Sequence, residues 1–143
     1  MTGYSGTPLP QKLGIKGGMT LGILGAPDSF EPTLGRLPAD VTIHHDLAPS
    51  DIFIVFGQWA DELDKAFHNA AAQLPSDGAI WVAWPKRSSG VETDVTEDTI
   101  RDLFLPSGMV DNKVCAIDNI WSGLRFVVRK ENRATWPSST IRA

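Results

Sequence analysis

The sequence predicts a three-layer α/β domain with a mostly parallel sheet of about six strands. Residues 79–84 form a continuous apolar run that is too short for a helix and too hydrophobic for an exposed edge, which indicates a strand buried on both faces. Similar short apolar segments alternate along the chain with helical patterns. Strands separated by helices normally lie parallel in one sheet, with right-handed crossovers.

The first elements follow an arm over residues 1–18 that is rich in Gly, Pro, Ser and Thr. We expect this arm to pack on the domain through Leu13 and Ile15 and to be loop elsewhere. The first strand is predicted over residues 19–25. Asp28 or Ser29 then begins a short helix that ends near Leu37. Residues 41–45 and 52–56 are the next two strands.

The clearest helical pattern covers residues 58–74, where apolar residues recur on one face. The buried strand 79–84 comes next, followed by a polar loop over residues 87–94. A helix begins at Thr96 and ends before Pro106, and strands are predicted over residues 113–117 and 124–128. The short connection between these two strands allows only an antiparallel hairpin. We therefore expect one domain over residues 19–130 and a polar tail over residues 131–143.

Composition limits the classes of partner. The chain has 143 residues, of which 42% are hydrophobic, enough for one domain with a real core. A formal charge of −4 and scattered basic residues argue against nucleic acid or an anionic membrane as partner. The single cysteine, Cys115, excludes an intramolecular disulfide, and its strand position predicts a buried, inert thiol. No apolar run has the length of a signal peptide or membrane span, so we expect a cytoplasmic protein.

No side-chain pattern in the sequence predicts catalysis or a metal site. His44 and His45 are adjacent on a strand, so they point to opposite faces, and His68 has no spaced partner. The serines lack a nucleophile-elbow pattern. The loop after the first strand has one glycine, Gly25, followed by a proline without an N–H and an aspartate that repels anions. This loop is a poor phosphate cradle.

A binding location is nevertheless predicted. In open α/β sheets, ligands bind beyond the carboxyl ends of the parallel strands. Two tryptophans and two cations at this rim are suited to a planar, anionic small molecule. The alternative is that both tryptophans pack against helices and the basic pair is solvated. Residues 121–123 belong to this rim or to a protein-binding surface. The predicted rim consists of Gly25, Ala26, Asp28, Asp46, Gln58, Trp59, Trp84, Lys86 and Arg87.

From residue 53 onward, the order of a strand, a helix, the turn 74–78, a strand, a helix, Gly108 and a hairpin resembles the Rossmann-like methyltransferases that use S-adenosylmethionine. The resemblance implies their fold and three cofactor-binding features: an acid on the first strand, a Gly-x-Gly turn and an acid ending the second strand. Ile23 and Pro27 replace the first acid and the second glycine, and only Asp46 matches. Residues 47–50 stand where those enzymes have a further helix and strand.

Residues 4–130 also resemble a family of bacterial proteins of unknown function, through the segments 4–8, 12–16, 78–81, 84–86 and 121–123. That resemblance implies the same fold and no activity. We therefore expect a non-catalytic, methyltransferase-like module that binds a small molecule or a protein partner at the rim. Two alternatives stay open. One is an active methyltransferase with an atypical cofactor loop, and the other is a structural or regulatory partner that uses the hairpin edge or residues 125–133.

Overall fold

Six strands form one mixed sheet in the order β2-β1-β3-β4-β6-β5. The first four are parallel, and β6 runs antiparallel between β4 and β5. The computed structural model in which this sheet is seen describes residues 7–136. It confirms the predicted α/β fold with its C-terminal antiparallel hairpin. The strands are β1 (Thr20–Leu24), β2 (Thr42–His44), β3 (Ile52–Phe56), β4 (Ala79–Pro85), β5 (Met109–Ala116) and β6 (Trp121–Val128).

Helices cover both faces of the sheet and make the three layers. They are α1 (Leu9–Lys12), α2 (Phe30–Leu34), α3 (Ala60–Ala71) and α4 (Glu97–Phe104). Helices α3 and α4 pack on one face, where Phe67 stacks on Phe104 with ring centroids 4.0 Å apart, and both rings meet Phe126 edge-on. The arm and α2 cover the other face. Apolar side chains recur on one side of α3, so a single stripe faces the sheet.

Strand β4 is the centre of the core, because all seven of its residues are buried. Ile80, Val82 and Trp84 face the α3–α4 side, whereas Trp81 and Ala83 face the arm and α2. The indole Nε1–H of Trp81 donates to the carbonyl oxygen of Leu13 at 2.9 Å. This bond ties the arm to the middle of the sheet.

Several element ends differ from the expectation. Helix α3 begins at Ala60 rather than at residue 58, because the Glu62 carboxylate accepts from the N–H groups of Gln58 and Trp59 and caps the first turn. Helix α2 ends at Leu34, before Gly35 with φ of 71°. Strands β5 and β6 begin earlier than predicted. The prediction missed their first residues because these lack the continuous apolar pattern of a buried strand.

The chain after β6 forms a 3-10 helix over Lys130–Thr135. Trp136 then donates its Nε1–H to the carbonyl oxygen of Leu74 at 2.8 Å and packs against the α3–α4 cluster. The described part of the predicted tail is thus attached to the domain. The rest of that tail, and residues 1–6 of the predicted arm, lie outside the described residues. Within residues 7–136, no helix has the length and apolar character needed to cross a membrane.

The α3 stripe yields a stability prediction. Leu63 has no exposed surface, whereas Leu47 is 41% exposed. We expect Leu63→Ala to lower the free energy of unfolding by about 2–5 kcal/mol, because it removes buried methyl groups and leaves a cavity. The matched change Leu47→Ala should cost less than about 0.5 kcal/mol. Urea unfolding of both variants measures the difference, and equal losses would contradict the packing described for α3.

Candidate functional site

The sheet reverses its direction of winding between β1 and β3, since the chain leaves β1 toward β2 on one side and β3 toward β4 on the other. Gly25 follows β1 at this point, with φ of 71°. A Cβ atom there would lie 2.8 Å from the carbonyl oxygen of Phe56. Only glycine combines this backbone conformation with so close an approach. The exposed Gly25 backbone therefore forms the surface at the switch point.

Aromatic rings fill the space beneath the switch point on the α2 side. Phe30 and Phe56 meet edge-on with centroids 4.7 Å apart, and Phe56 and Trp121 do so at 5.1 Å. Trp121 is the first residue of β6, and its partly buried ring packs against this core cluster. Aromatic side chains therefore pack against this end of the sheet on the α2 side.

The loop after β2 is held by its own polar contacts. His44 bonds through Nε2 to the Ser50 hydroxyl, and its Nδ1 lies 2.9 Å from a carboxylate oxygen of Asp46 without hydrogen-bond geometry. His45 Nε2 lies 2.7 Å from the carboxylate of Glu31, which connects the loop to α2. The two histidines thus have separate partners. Across residues 7–136, no group of His, Cys, Asp and Glu side chains is placed to hold a metal ion.

The amino terminus of α3 is already occupied by carboxylates. Glu62 accepts from the N–H groups of Gln58 and Trp59 at 3.1 and 3.2 Å, and Asp94 accepts from the Ala60 N–H at 2.8 Å. Helix amino termini bind anions through these same N–H groups. Two negative side chains therefore stand at the amino end of α3, and their charge disfavours an anionic ligand there.

Three hydrogen bonds anchor the loop that follows β4. The Gln58 amide donates to the Glu92 carbonyl oxygen at 2.7 Å, and the Thr93 hydroxyl donates to the Gln58 carbonyl oxygen. Asp94 adds its bond to Ala60. The loop over residues 90–95 is therefore bonded to the end of β3.

A cavity of about 560 Å³ opens beside this loop at the carboxyl end of β4. Trp84, Lys86 and Arg87 line it together with the apolar side chains of Val91 and Val95. Trp84 is only 6% exposed, so most of its ring belongs to the core and a small part reaches the cavity. The cavity lining thus combines apolar side chains with two cations. Its remaining lining comes from Gly90, Glu92, Thr93, Thr96, Glu97 and Ser122.

The predicted rim is therefore divided by the structure. Trp84, Lys86 and Arg87 meet in the cavity, and Gln58 holds the cavity loop without lining the cavity. Trp59 is 37% exposed beside the start of α3 and is not among the lining residues. The other four predicted residues lie at the ends of β1 and β2, away from the cavity: Gly25, Ala26, Asp28 and Asp46.

Sequence reasoning missed the part of the cavity that the loop supplies. Val91 and Val95 stand alone in a polar stretch, and that isolated apolar pair was the signal available. Thr93 and Asp94 carried no signal, because their partners lie 35 and 34 residues away in the chain.

The residues at the switch point do not fit S-adenosylmethionine, the cofactor that the resemblance implies. Ile23 stands where an acid is expected and is buried in the core, so it offers no carboxylate. Pro27 has no N–H to donate. The Asp46 carboxylate is 77% exposed and already accepts from the Ala48 N–H at 3.1 Å. No chemical step through this cofactor follows from these residues.

Cys115 lies on β5 with its side chain buried. Burial raises the pKa of its thiol, and the nearby charges of Lys12, Lys113 and Lys86 only partly oppose this shift. A raised pKa keeps the sulfur protonated at neutral pH, and the thiolate is the nucleophilic form. The environment thus disfavours a catalytic role for this cysteine.

We expect the Cys115 thiol to react at least about tenfold more slowly with a disulfide reagent in the native protein than in urea at pH 8. A Cys115→Ser variant, which has no thiol, gives the background signal of the assay. The thiol pKa is lower in the unfolded chain, so the unfolded chain loses its proton first as the pH rises. The free energy of unfolding should therefore also fall above pH 9.0, the ordinary pKa of a cysteine thiol. Equal rates in the two states would contradict burial.

The bond from Asp94 to α3 yields a prediction about stability. Asp94→Ala should lower the free energy of unfolding by about 1 kcal/mol, because it removes a carboxylate that accepts from the first turn of a helix. Asp98→Ala is the control, since Asp98 is an exposed first-turn residue of α4 whose carboxylate lies 3.8 Å from Arg101. Urea unfolding measures the stability of both variants. A larger loss of stability in Asp98→Ala than in Asp94→Ala would contradict a stabilising bond from Asp94 to α3.

Comparison with known proteins shows likeness in structure but not in sequence. No family model and no curated protein matches the chain. Among solved structures, the chain is similar to a SAM-dependent methyltransferase from Aquifex aeolicus, with a TM-score of 0.59 and 13% identity over 82% of this chain and 87% of that one. It is similar to a precorrin-6y C5,15-methyltransferase from Geobacter metallireducens, with a TM-score of 0.53 and 14% identity over 82% and 84% of the chains.

A third similar structure is a magnesium protoporphyrin IX methyltransferase from Synechocystis, solved with bound SAH. The TM-score is 0.54, with 11% identity over 78% of this chain and 74% of that one. At such identities the likeness concerns the fold and not the activity. The chain therefore has the Rossmann-like fold of the S-adenosylmethionine-dependent methyltransferases, with the antiparallel β6 inserted beside β4.

Proposed function

We propose that this chain is a methyltransferase-like module that catalyses no methyl transfer and binds a small, planar, anionic molecule in the cavity at the carboxyl end of β4. One observation supports the proposal above the others. Of the nine predicted rim residues, the three that converge, Trp84, Lys86 and Arg87, do so in one cavity of about 560 Å³. A volume of that order suits a small molecule.

The backbone that carries the two cations is held firmly. The N–H of Lys86 donates to the Ile120 carbonyl oxygen at 2.7 Å, and the Ser89 hydroxyl donates to the Lys86 carbonyl oxygen at 2.6 Å. A short 3-10 helix over Arg87–Ser89 follows directly. The positive groups are therefore presented from a defined turn, which lowers the entropy lost when a ligand binds.

The cavity wall also limits which anions fit. Glu92 and Glu97 line the same cavity as the two cations. Glu97 is already ion-paired with Arg101 at 2.8 Å, so the Glu92 carboxylate is the group that repels a molecule with several negative charges. A ligand with one carboxylate on an apolar ring can bond to Arg87 and pack against Val91 and Val95. The proposal is thus for a singly charged aromatic or similarly flat ligand.

Salicylate and its uncharged analogue salicylamide test this proposal. We expect salicylate to perturb the Trp84 indole resonance with a dissociation constant of about millimolar, and salicylamide to bind roughly tenfold more weakly. Arg87→Gln should weaken salicylate binding roughly tenfold, because it removes the charge-assisted bond. Arg36→Gln, a change of an exposed arginine outside the cavity, is the matched control. Equal binding of both probes, or to both variants, would contradict the proposal.

The alternative of an active methyltransferase is tested separately with S-adenosylmethionine and its demethylated product. If the module does not use this cofactor, neither compound at about millimolar concentration should produce heat or raise the melting temperature. A clear shift that is lost in Asp46→Ala would support the enzyme instead.

A protein partner on the same rim is the second candidate. Trp59 and Ile120 are large apolar side chains in the loops at this end of the sheet, and both are exposed. Exposed apolar groups gathered at one end favour a protein contact. If light scattering shows a monomer and a metabolite panel leaves the melting temperature unchanged, this candidate gains over the small molecule.

A further inference from the structure

A second cavity, of about 460 Å³, lies at the opposite end of the sheet from the rim. Ile52 and Ala79, the first residues of β3 and β4, form part of its lining, so it opens at the amino ends of the parallel strands. The arm borders it through Gly14 and Lys16. No residue that lines this cavity also lines the cavity at the carboxyl end of β4.

Four cations reach this second cavity although the chain as a whole is acidic: Lys12, Lys16, Lys113 and Arg125. Two carboxylates, Asp51 and Asp77, also line it. Asp51 is engaged elsewhere, since its carboxylate accepts from the Thr20 N–H at 2.8 Å. Positive side chains therefore outnumber negative ones in the lining of the cavity.

The guanidinium of Arg125 has few polar partners. Its Nε is buried and has no hydrogen-bond partner, and its NH1 reaches the Asn112 side-chain oxygen only at 3.4 Å. Among residues 7–136, no carboxylate forms an ion pair with it. Burial also lowers the pKa of this guanidinium, with no opposing carboxylate. Arg125 is half-buried and lines an open cavity, so a cation with a buried Nε and no carboxylate partner favours a bound anion.

The sheet itself sets two of these cations side by side. Lys113 on β5 stands directly opposite Arg125 on β6, and β6 in turn places Arg125 opposite the buried Trp81. Directly paired residues share a face of the sheet, and like charges in that position destabilise the pair. An anion between them removes the repulsion. The buried Nε and the repulsive pair are separate observations that point to the same missing negative charge.

We infer that this cavity binds a phosphate group, held by the Arg125 guanidinium and the lysines around it. The planar guanidinium matches phosphate oxygens with two parallel hydrogen bonds, and lysines add charge. A phosphate monoester carries about −1.5 to −2 charges at neutral pH, which suits a lining in which cations outnumber carboxylates. The site lies at the other end of β4 from the proposed rim ligand and does not depend on it.

The test uses the whole protein and anions that differ in charge and shape, at constant ionic strength. Inorganic phosphate and glycerol 3-phosphate are titrated, with succinate as a dianion of different shape and chloride as the salt control. We expect both phosphates to shift the amide resonances of Gly14 and Arg125, with dissociation constants of about millimolar or below. Stronger binding of glycerol 3-phosphate would identify a phosphorylated small molecule as the ligand, and equal binding would identify free phosphate.

Two variants and one control complete the design. Arg125→Met should weaken phosphate binding roughly tenfold or more, because it removes the charged fork. It should leave the melting temperature in phosphate-free buffer unchanged or raised, because it removes an unpaired buried charge. Lys113→Gln, on the exposed surface of β5, should weaken binding roughly threefold even if Arg125→Met folds poorly. Lys65→Gln, on the outer side of α3, should have no effect.

Three results would overturn the inference. The first is the absence of any shift at about 20 mM phosphate beyond that caused by chloride. The second is equal phosphate affinity in the parent protein and in Lys113→Gln and Arg125→Met. Succinate binding as tight as phosphate binding would show an unspecific basic patch and would also overturn it.

Discussion

Complete burial of β4 is the constraint on which the rest of the structure depends. Its seven apolar residues need cover on two faces and two edges, and no single neighbouring element provides all four. Strand β3 pairs with one edge in parallel, and β6 returns antiparallel to cover the other. Helices α3 and α4 close one face, and the arm closes the second, where Trp81 bonds to Leu13. The final hairpin therefore completes the core and is not an appendage.

The hairpin moves the exposed edge of the sheet from β4 to β5. A bulge between Asp111 and Lys113 interrupts the pairing of β5 with β6. Bulges and polar side chains on an edge strand discourage further strands from pairing with it. The same bulge sets the register in which Lys113 faces Arg125. One local irregularity thus protects the edge and brings two cations together.

The chain has this fold without the residues that would hold S-adenosylmethionine. Ile23 packs in the core, where an unpaired carboxylate would be costly to bury. The Gly25 conformation is retained because it serves the backbone, which must pass close to Phe56. Pro27 removes a donor from the loop that follows. The switch-point residues therefore favour packing over cofactor binding, while the cavities lie at the two ends of β4.

The sequence alone determined the elements whose pattern is local. The apolar run 79–84, the stripe of α3 and the short connection before residue 124 were sufficient for the strand, the helix and the antiparallel hairpin, because periodicity and connection length are properties of neighbouring residues. Of the site, the sequence predicted three cavity residues, Trp84, Lys86 and Arg87, because all three directly follow or end one predicted strand.

Only the tertiary structure decided which distant groups meet. Gln58 bonds to Glu92 across 34 residues, and this contact holds the loop that lines the cavity at the carboxyl end of β4. Lys12 and Arg125 come from opposite ends of the domain to line the second cavity. A charge in a sequence says nothing about its distance from another charge far along the chain. That distance is set by the packing of the segments between them, and so are the cavities they line.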